Sequence, residues 1–219
     1  MIERELLPAL DRQMVDRYST RLRQFGADPR TLGWDRKESQ RARFAAAARA
    51  ASFTGRSVLD IGCGLADFGD FLYCDATQTP SSYSGIDINP DLIEVCRQRH
   101  PTGIFEVRNV LRQPYSEEQW DIVTMFGLLN LRFSEFSNEE YARELITEAF
   151  RISGEVLIVD MLSARTDANY PPEDFVYYYQ PMTMLDFALG LTPHVTLLHD
   201  YPSIPQREFM LVLRKGPCG

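Results

Sequence analysis

The 219 residues carry 44% hydrophobic and 25% charged side chains, the balance of one globular domain with an appendage. A net charge of −8 disfavours nucleic acid and anionic membrane surfaces as partners, although the arginine-rich stretch from Arg12 to Arg49 leaves a route to a macromolecular substrate such as tRNA; a small-molecule substrate is expected. Four cysteines (Cys63, Cys74, Cys96, Cys218) at no metal-ligand spacing, and no apolar run near the roughly 20 residues of a membrane span, predict a cytoplasmic protein with reduced thiols and no metal.

Residues 1–52 read as helices broken at Gly26–Pro29 and Gly33, ending in an alanine-rich helix from about Glu38 to Ser52. This arginine-rich segment is either a solvated helical face or a lid, separate from a domain over residues 53–219. As a lid it would bring Tyr18, Arg23 or Trp34 over a bound cofactor, with an arginine on a carboxylate.

The stretch SVLDIGCGLADFGDFL, from Ser57 to Leu72, is the most informative in the chain. A β-branched run ends in Asp60 and a Gly-x-Gly turn (Gly62, Cys63, Gly64), and an apolar-periodic helix follows. Glycines at such a turn accept φ > 0 and let a ligand approach the backbone beside a helix N-terminus. Beyond it, strand-like runs at Tyr83–Asp87, Ile104–Val107, Trp120–Phe126 and Glu155–Asp160 alternate with helical stretches at Pro90–His100 and Asn138–Ile152. Asn89 is placed to cap the first of these. The alternation predicts an α/β, Rossmann-like, doubly wound sheet. His194–His199 and Glu208–Leu213 have no helix between them and should pair antiparallel.

Asp87, 27 residues after Asp60, closes the second strand, where an acid accepts both hydroxyls of a ribose. Dinucleotide and S-adenosylmethionine sites share that feature. A dinucleotide fingerprint would need glycine at position 67, where Asp67 stands and would repel a pyrophosphate. Acids around the turn suit a sulfonium and an ammonium instead.

The segments VLDIGCG (58–64), GIDINPDLIEVCRQRHP (85–101), IFEVRNVL (104–111) and DIVTMFGLLNLRF (121–133) resemble the class I S-adenosylmethionine-dependent methyltransferases, and the resemblance spans about Arg56 to Lys215. It implies a seven-stranded sheet with an antiparallel last strand. Asp60, Gly62, Cys63 and Gly64 would then line the methionine end, Asp87 the ribose and Ile88 the adenine, with Asn109 and Val110 at the adenine edge. Two positions depart from the family: Ala66 replaces a frequent third glycine, and Asn109 replaces the usual Asp.

The acceptor pocket of such a fold lies outside strands four and five. Phe126, counted with the cofactor, and Gly127, Asn130 and Arg132 follow strand four, while Asp160 follows strand five. Tyr170 and Tyr177–Tyr179 lie in a segment read as helical, which allows at most two adjacent tyrosines toward one pocket. Asn130, Tyr178 and Asp160 are the catalytic candidates, each equally accounted for as loop, packing or structural residues. His100, His194 and His199 read as structural. Methyl transfer from a sulfonium needs no acid for the leaving group, and a base only where the acceptor enters protonated.

Three alternatives remain at this level. The first is aminocarboxypropyl transfer or cyclisation with the same cofactor. The second is a non-catalytic cofactor-binding regulator, and the third is an NAD-dependent dehydrogenase, disfavoured by Asp67 and the terminal hairpin. Neither the acceptor nor the oligomeric state is legible.

Overall fold

A computed structural model describes residues 4–34, 36–165, 172–201 and 207–217. Seven strands form one sheet: β1 (Ser57–Ile61), β2 (Ser82–Asp87), β3 (Ile104–Val107), β4 (Trp120–Met125), β5 (Ser153–Leu162), β6 (Val195–Leu198) and β7 (Glu208–Arg214). Their order is β3-β2-β1-β4-β5-β7-β6. The first five are parallel, and β7 runs antiparallel to both β5 and β6. This is the doubly wound sheet with a reversed last strand that the sequence predicts.

Neighbouring residues of the central strands point to opposite faces, so one apolar run feeds two cores. Leu59, Val123, Leu157 and Leu211 pack on α5 (Asn138–Ile152) and α6 (Pro181–Leu191). Val58, Ile122, Ile158 and Val212 face the other way. There they meet α2 (Lys37–Ala50), α3 (Asp67–Cys74) and α4 (Pro90–Arg99) through Phe44, Phe68 and Ile93. The remaining helix, α1 (Leu7–Phe25), ends at Gly26 and leads through a tight helical turn at Pro29–Leu32 into α2. Leu7 from α1 and Phe44 from α2 belong to these cores, so the N-terminal segment is built into the fold.

The tyrosine segment departs from its helical reading. Val176 and Tyr179 form β-bridges with Leu131 and Ser163, and α6 begins only at Pro181, whose fixed φ suits a first helical turn. Extended backbone alternates its side chains, so the Tyr177 and Tyr179 rings pair at 4.8 Å. Tyr170 and Cys218 lie outside the described residues; the other three cysteines are free thiols. Among the described residues no helix is long and apolar enough to cross a membrane, and no cluster of side chains could hold a metal ion.

Candidate active site

The β1–α3 turn uses left-handed backbone at three places: Gly62 (φ +73°), Gly64 (φ +55°) and Ala66 (φ +62°). Ala66 therefore takes up the conformation for which glycine is usually chosen, at a local cost of about 1–2 kcal/mol. Gly62 and Cys63 both donate their N–H groups to the Ile86 carbonyl of β2, at 2.7 and 3.0 Å. The Gly64 N–H donates to Asp87 Oδ2 at 3.1 Å, while Asp87 Oδ1 accepts from the Asn89 N–H at 2.9 Å. Asp87 thus ties the turn to the end of β2. Burial pushes its carboxyl up to about 6, opposed by those backbone donors.

The next residue but one extends this device to α1. Asn89 Oδ1 caps α4 by accepting from Asp91 and Leu92, and Asn89 Nδ2 donates to the Val15 carbonyl and to Ser19 Oγ. Docked in this way, α1 roofs a cavity whose floor is Gly62 and Gly64 and whose side is Asp87 and Ile88. Leu10, Asp11, Met14 and Tyr18 come from α1, Asn109 and Val110 from beyond β3, and Phe126 and Gly127 from the end of β4. A purine nucleoside is matched by this combination of apolar walls and carboxylates. The fit at the turn is close: a Cβ on Gly62 would stand 2.8 Å from Leu128, and one on Gly64 2.7 Å from Leu32.

A second cavity shares Tyr18, Leu32, Trp34, Gly127 and Leu131 with the first, so the two meet across one wall. It adds Arg17, Arg21, Arg43, Asn130 and Glu208, with Leu162, Phe175 and Val176 as its apolar side. Two buried polar atoms of these lining residues have no hydrogen-bond partner among the described residues: Asn130 Oδ1, an acceptor, and Arg43 Nη1, a donor. Arg43 is otherwise fully engaged. Its guanidinium bonds both oxygens of Glu208, pairs with Asp160 at 2.9 Å and stacks on the Trp34 ring 3.6 Å away. One cation faces two buried acids, and burial raises the carboxyls of both Asp160 and Glu208.

Of the predicted cofactor residues, Gly62, Gly64, Asp87, Ile88, Asn109, Val110, Phe126 and Tyr18 line the first cavity. Asp60 does not. Its carboxylate accepts from the Tyr83 hydroxyl at 2.6 Å and from Thr124 at 2.9 Å, and it reaches only a small adjoining cavity. Burial lifts that carboxyl to about 7. The Cys63 thiol turns into the core beneath Gly85. Arg23 stays on the exposed face of α1, bonded to Thr20, because 3.6 residues per turn put Arg17 and Arg21 at the mouth of the second cavity instead.

The catalytic candidates separate in the same way. Asn130 lines the second cavity. Tyr178 lines neither, and its hydroxyl accepts from the Glu173 N–H. Asp160 is 1% exposed and acts from behind, accepting from the Gly127 N–H at 2.6 Å and pairing with Arg43. Sequence reasoning missed Asp11, Arg17, Leu32 and Glu208. All four reach the site from outside its signature segments; Glu208 meets Arg43 across 165 positions.

Residues 58–153 match the methyltransferase domain family. A Mycobacterium tuberculosis protein named as a methyltransferase is 26% identical over 169 residues, covering 73% of this chain and 93% of that one. The fatty-acid O-methyltransferase of Mycolicibacterium smegmatis is 30% identical over 139 residues, but the match spans only 47% of its length and 62% of this chain. Among solved structures, the magnesium protoporphyrin IX methyltransferase of Synechocystis PCC 6803 with bound S-adenosylhomocysteine superposes with a TM-score of 0.64, at 14% identity. That superposition covers 94% of this chain and all of the other. A Haemonchus contortus phosphoethanolamine N-methyltransferase reaches a TM-score of 0.68 at 13% identity, over 99% of this chain and 50% of its own.

Proposed function

Because the chain belongs to the class I S-adenosylmethionine-dependent methyltransferases, we propose that it methylates a small molecule held in the second cavity. S-adenosylmethionine is its co-substrate and supplies an electrophilic methyl group on a sulfonium. The observation that carries the acceptor assignment is the shared wall: two cavities of different chemistry meet at Gly127, Leu131 and Trp34. Apposition of donor and acceptor is the main catalytic requirement of an in-line displacement.

In this reading Asp87 holds the ribose hydroxyls, Ile88 and Val110 flank the purine, and the glycine turn receives the methionine arm. Asn130 and Arg43 present an unpaired acceptor and an unpaired donor to the acceptor molecule. A polar head that both gives and takes a hydrogen bond satisfies them, and Leu131, Leu162, Phe175 and Val176 suit an apolar body. The fatty-acid O-methyltransferase relative is consistent with such an amphipathic substrate. Among the described residues no histidine lines either cavity, so a carboxylate is the simplest nucleophile; it would take the Arg43 bond, and a hydroxyl elsewhere on the acceptor would give one to the Asn130 oxygen. Within the N-terminal segment, α1 and the turn that follows it cover the site, placing Tyr18 and Trp34 over the reacting groups.

The test is incubation with S-adenosylmethionine and a panel of long-chain carboxylic acids, hydroxy acids and phenols, followed by chromatography of the nucleoside product. The expected result is S-adenosylhomocysteine together with a methylated acceptor. Methylthioadenosine in its place would contradict methyl transfer.

A further inference from the structure

We propose that Asp11, on α1, is the residue that reads the purine 6-amino group; this rests on the assignment of the first cavity to S-adenosylmethionine. The apolar end of that cavity, formed by Leu10, Met14, Leu92 and Val110, is where a purine face would lie. Its polar rim there consists of Asn109, Arg108 and Asp11. An amino group is a pure donor and needs an acceptor.

Asn109 is poorly placed to be that acceptor. Its Oδ1 takes the Leu111 N–H at 3.0 Å, which fixes the amide so that its NH2 faces outward. That NH2 donates to Asp11 Oδ1 at 2.7 Å. Where a donor amino group would approach, Asn109 offers another donor. Asp11 offers the opposite. Its carboxylate accepts one bond from Asn109 and one from Arg112, at 2.8 Å on Oδ2, which leaves lone pairs on both oxygens. The side chain is 15% exposed, desolvated enough for the charge to discriminate between donors and acceptors.

The carboxylate absent from position 109 is therefore supplied from the N-terminal helix, and Asn109 and Arg112 orient it. One consequence is that purine recognition and docking of α1 are a single event: a cavity without α1 in place cannot select adenine.

The experiment is calorimetric titration of the full chain with S-adenosylhomocysteine and with S-inosylhomocysteine, whose 6-oxo group accepts where adenine donates. The wild-type protein should prefer the adenine compound by tenfold or more, the effect of one hydrogen bond to a charged group. Asp11→Asn should lower that preference about tenfold, whereas a merely structural role would weaken both ligands equally. The exchange Asp11→Asn with Asn109→Asp, which returns the carboxylate to the β3 side, should restore it. Equal binding of the two ligands to the wild type, a comparison that needs no variant, overturns the assignment. So does an Asp11→Asn protein that keeps the full preference. Absence of S-adenosylhomocysteine binding by the wild type overturns the cavity assignment itself, and this proposal with it.

Discussion

Asn89 Nδ2 donates to Ser19 Oγ at 3.1 Å, joining the residue that caps α4 to the helix that roofs the cofactor cavity. The same side chain performs both tasks with different atoms, so they can be separated. Asn89→Ala loses the cap and the tether and should cost about 2 kcal/mol in urea denaturation. Asn89→Asp keeps a capping oxygen but turns an oxygen toward the Val15 carbonyl in place of the donor; S-adenosylhomocysteine binding should weaken several-fold, and the stability lost should be smallest at low pH, where the buried carboxyl is protonated.

Asp87 gives the site a pH dependence of definite sign. Burial raises its carboxyl to about 6, above the unfolded value near 4. In the free protein its contribution to stability is complete below about pH 4 and is lost as pH rises through 6. Ligand binding runs the other way, because ribose hydroxyls donate best to the ionised form. Titrations of S-adenosylhomocysteine from pH 5 to 7.5 should show tightening in the wild type and a flat profile in Asp87→Asn.

Among the described residues Arg43 is the one cation paired with both Asp160 and Glu208, and all three are at most 5% exposed. Arg43→Met would leave two buried acids facing each other. The expected loss is about 3–5 kcal/mol, the cost of breaking a buried pair by removing one partner. Urea denaturation checks it, and the loss should shrink at low pH as the carboxyls protonate.

Gly127 sits at φ +67°, with the Trp34 indole where a side chain would be. A Cβ there would stand 2.6 Å from Trp34 Cζ2. Gly127→Ala must therefore displace the indole from Arg43, at a cost of about 1–3 kcal/mol. A shift in tryptophan emission, and a much smaller added loss in a Trp34→Ala background, would identify the clash as the cause.

Local pattern made the sheet and the cofactor turn legible: β1 is a short apolar run, Gly62 and Gly64 need their positive φ, and Asn89 and Pro90 announce α4. What escaped depends on long-range contact. Tyr177–Tyr179 read as helical until bridges to Leu131 and Ser163 hold their segment extended. Asp60 carries the signature acid of the turn, yet Tyr83 and Thr124, from two other strands, consume its carboxylate. Asp11, Arg17 and Arg21 look like any charged helical face until Asn89 docks that helix over the cavity.

The cavity between the Gly62–Gly64 turn and Asp87 is the S-adenosylmethionine site on which every other assignment rests. Calorimetry at pH 7.5 with S-adenosylhomocysteine and, separately, NAD tests it most directly, using wild type and Asp87→Ala. The wild type should bind S-adenosylhomocysteine saturably and one to one, the variant at least tenfold more weakly, and neither should bind NAD. Binding of NAD without S-adenosylhomocysteine, or equal affinity in the two proteins, would contradict it.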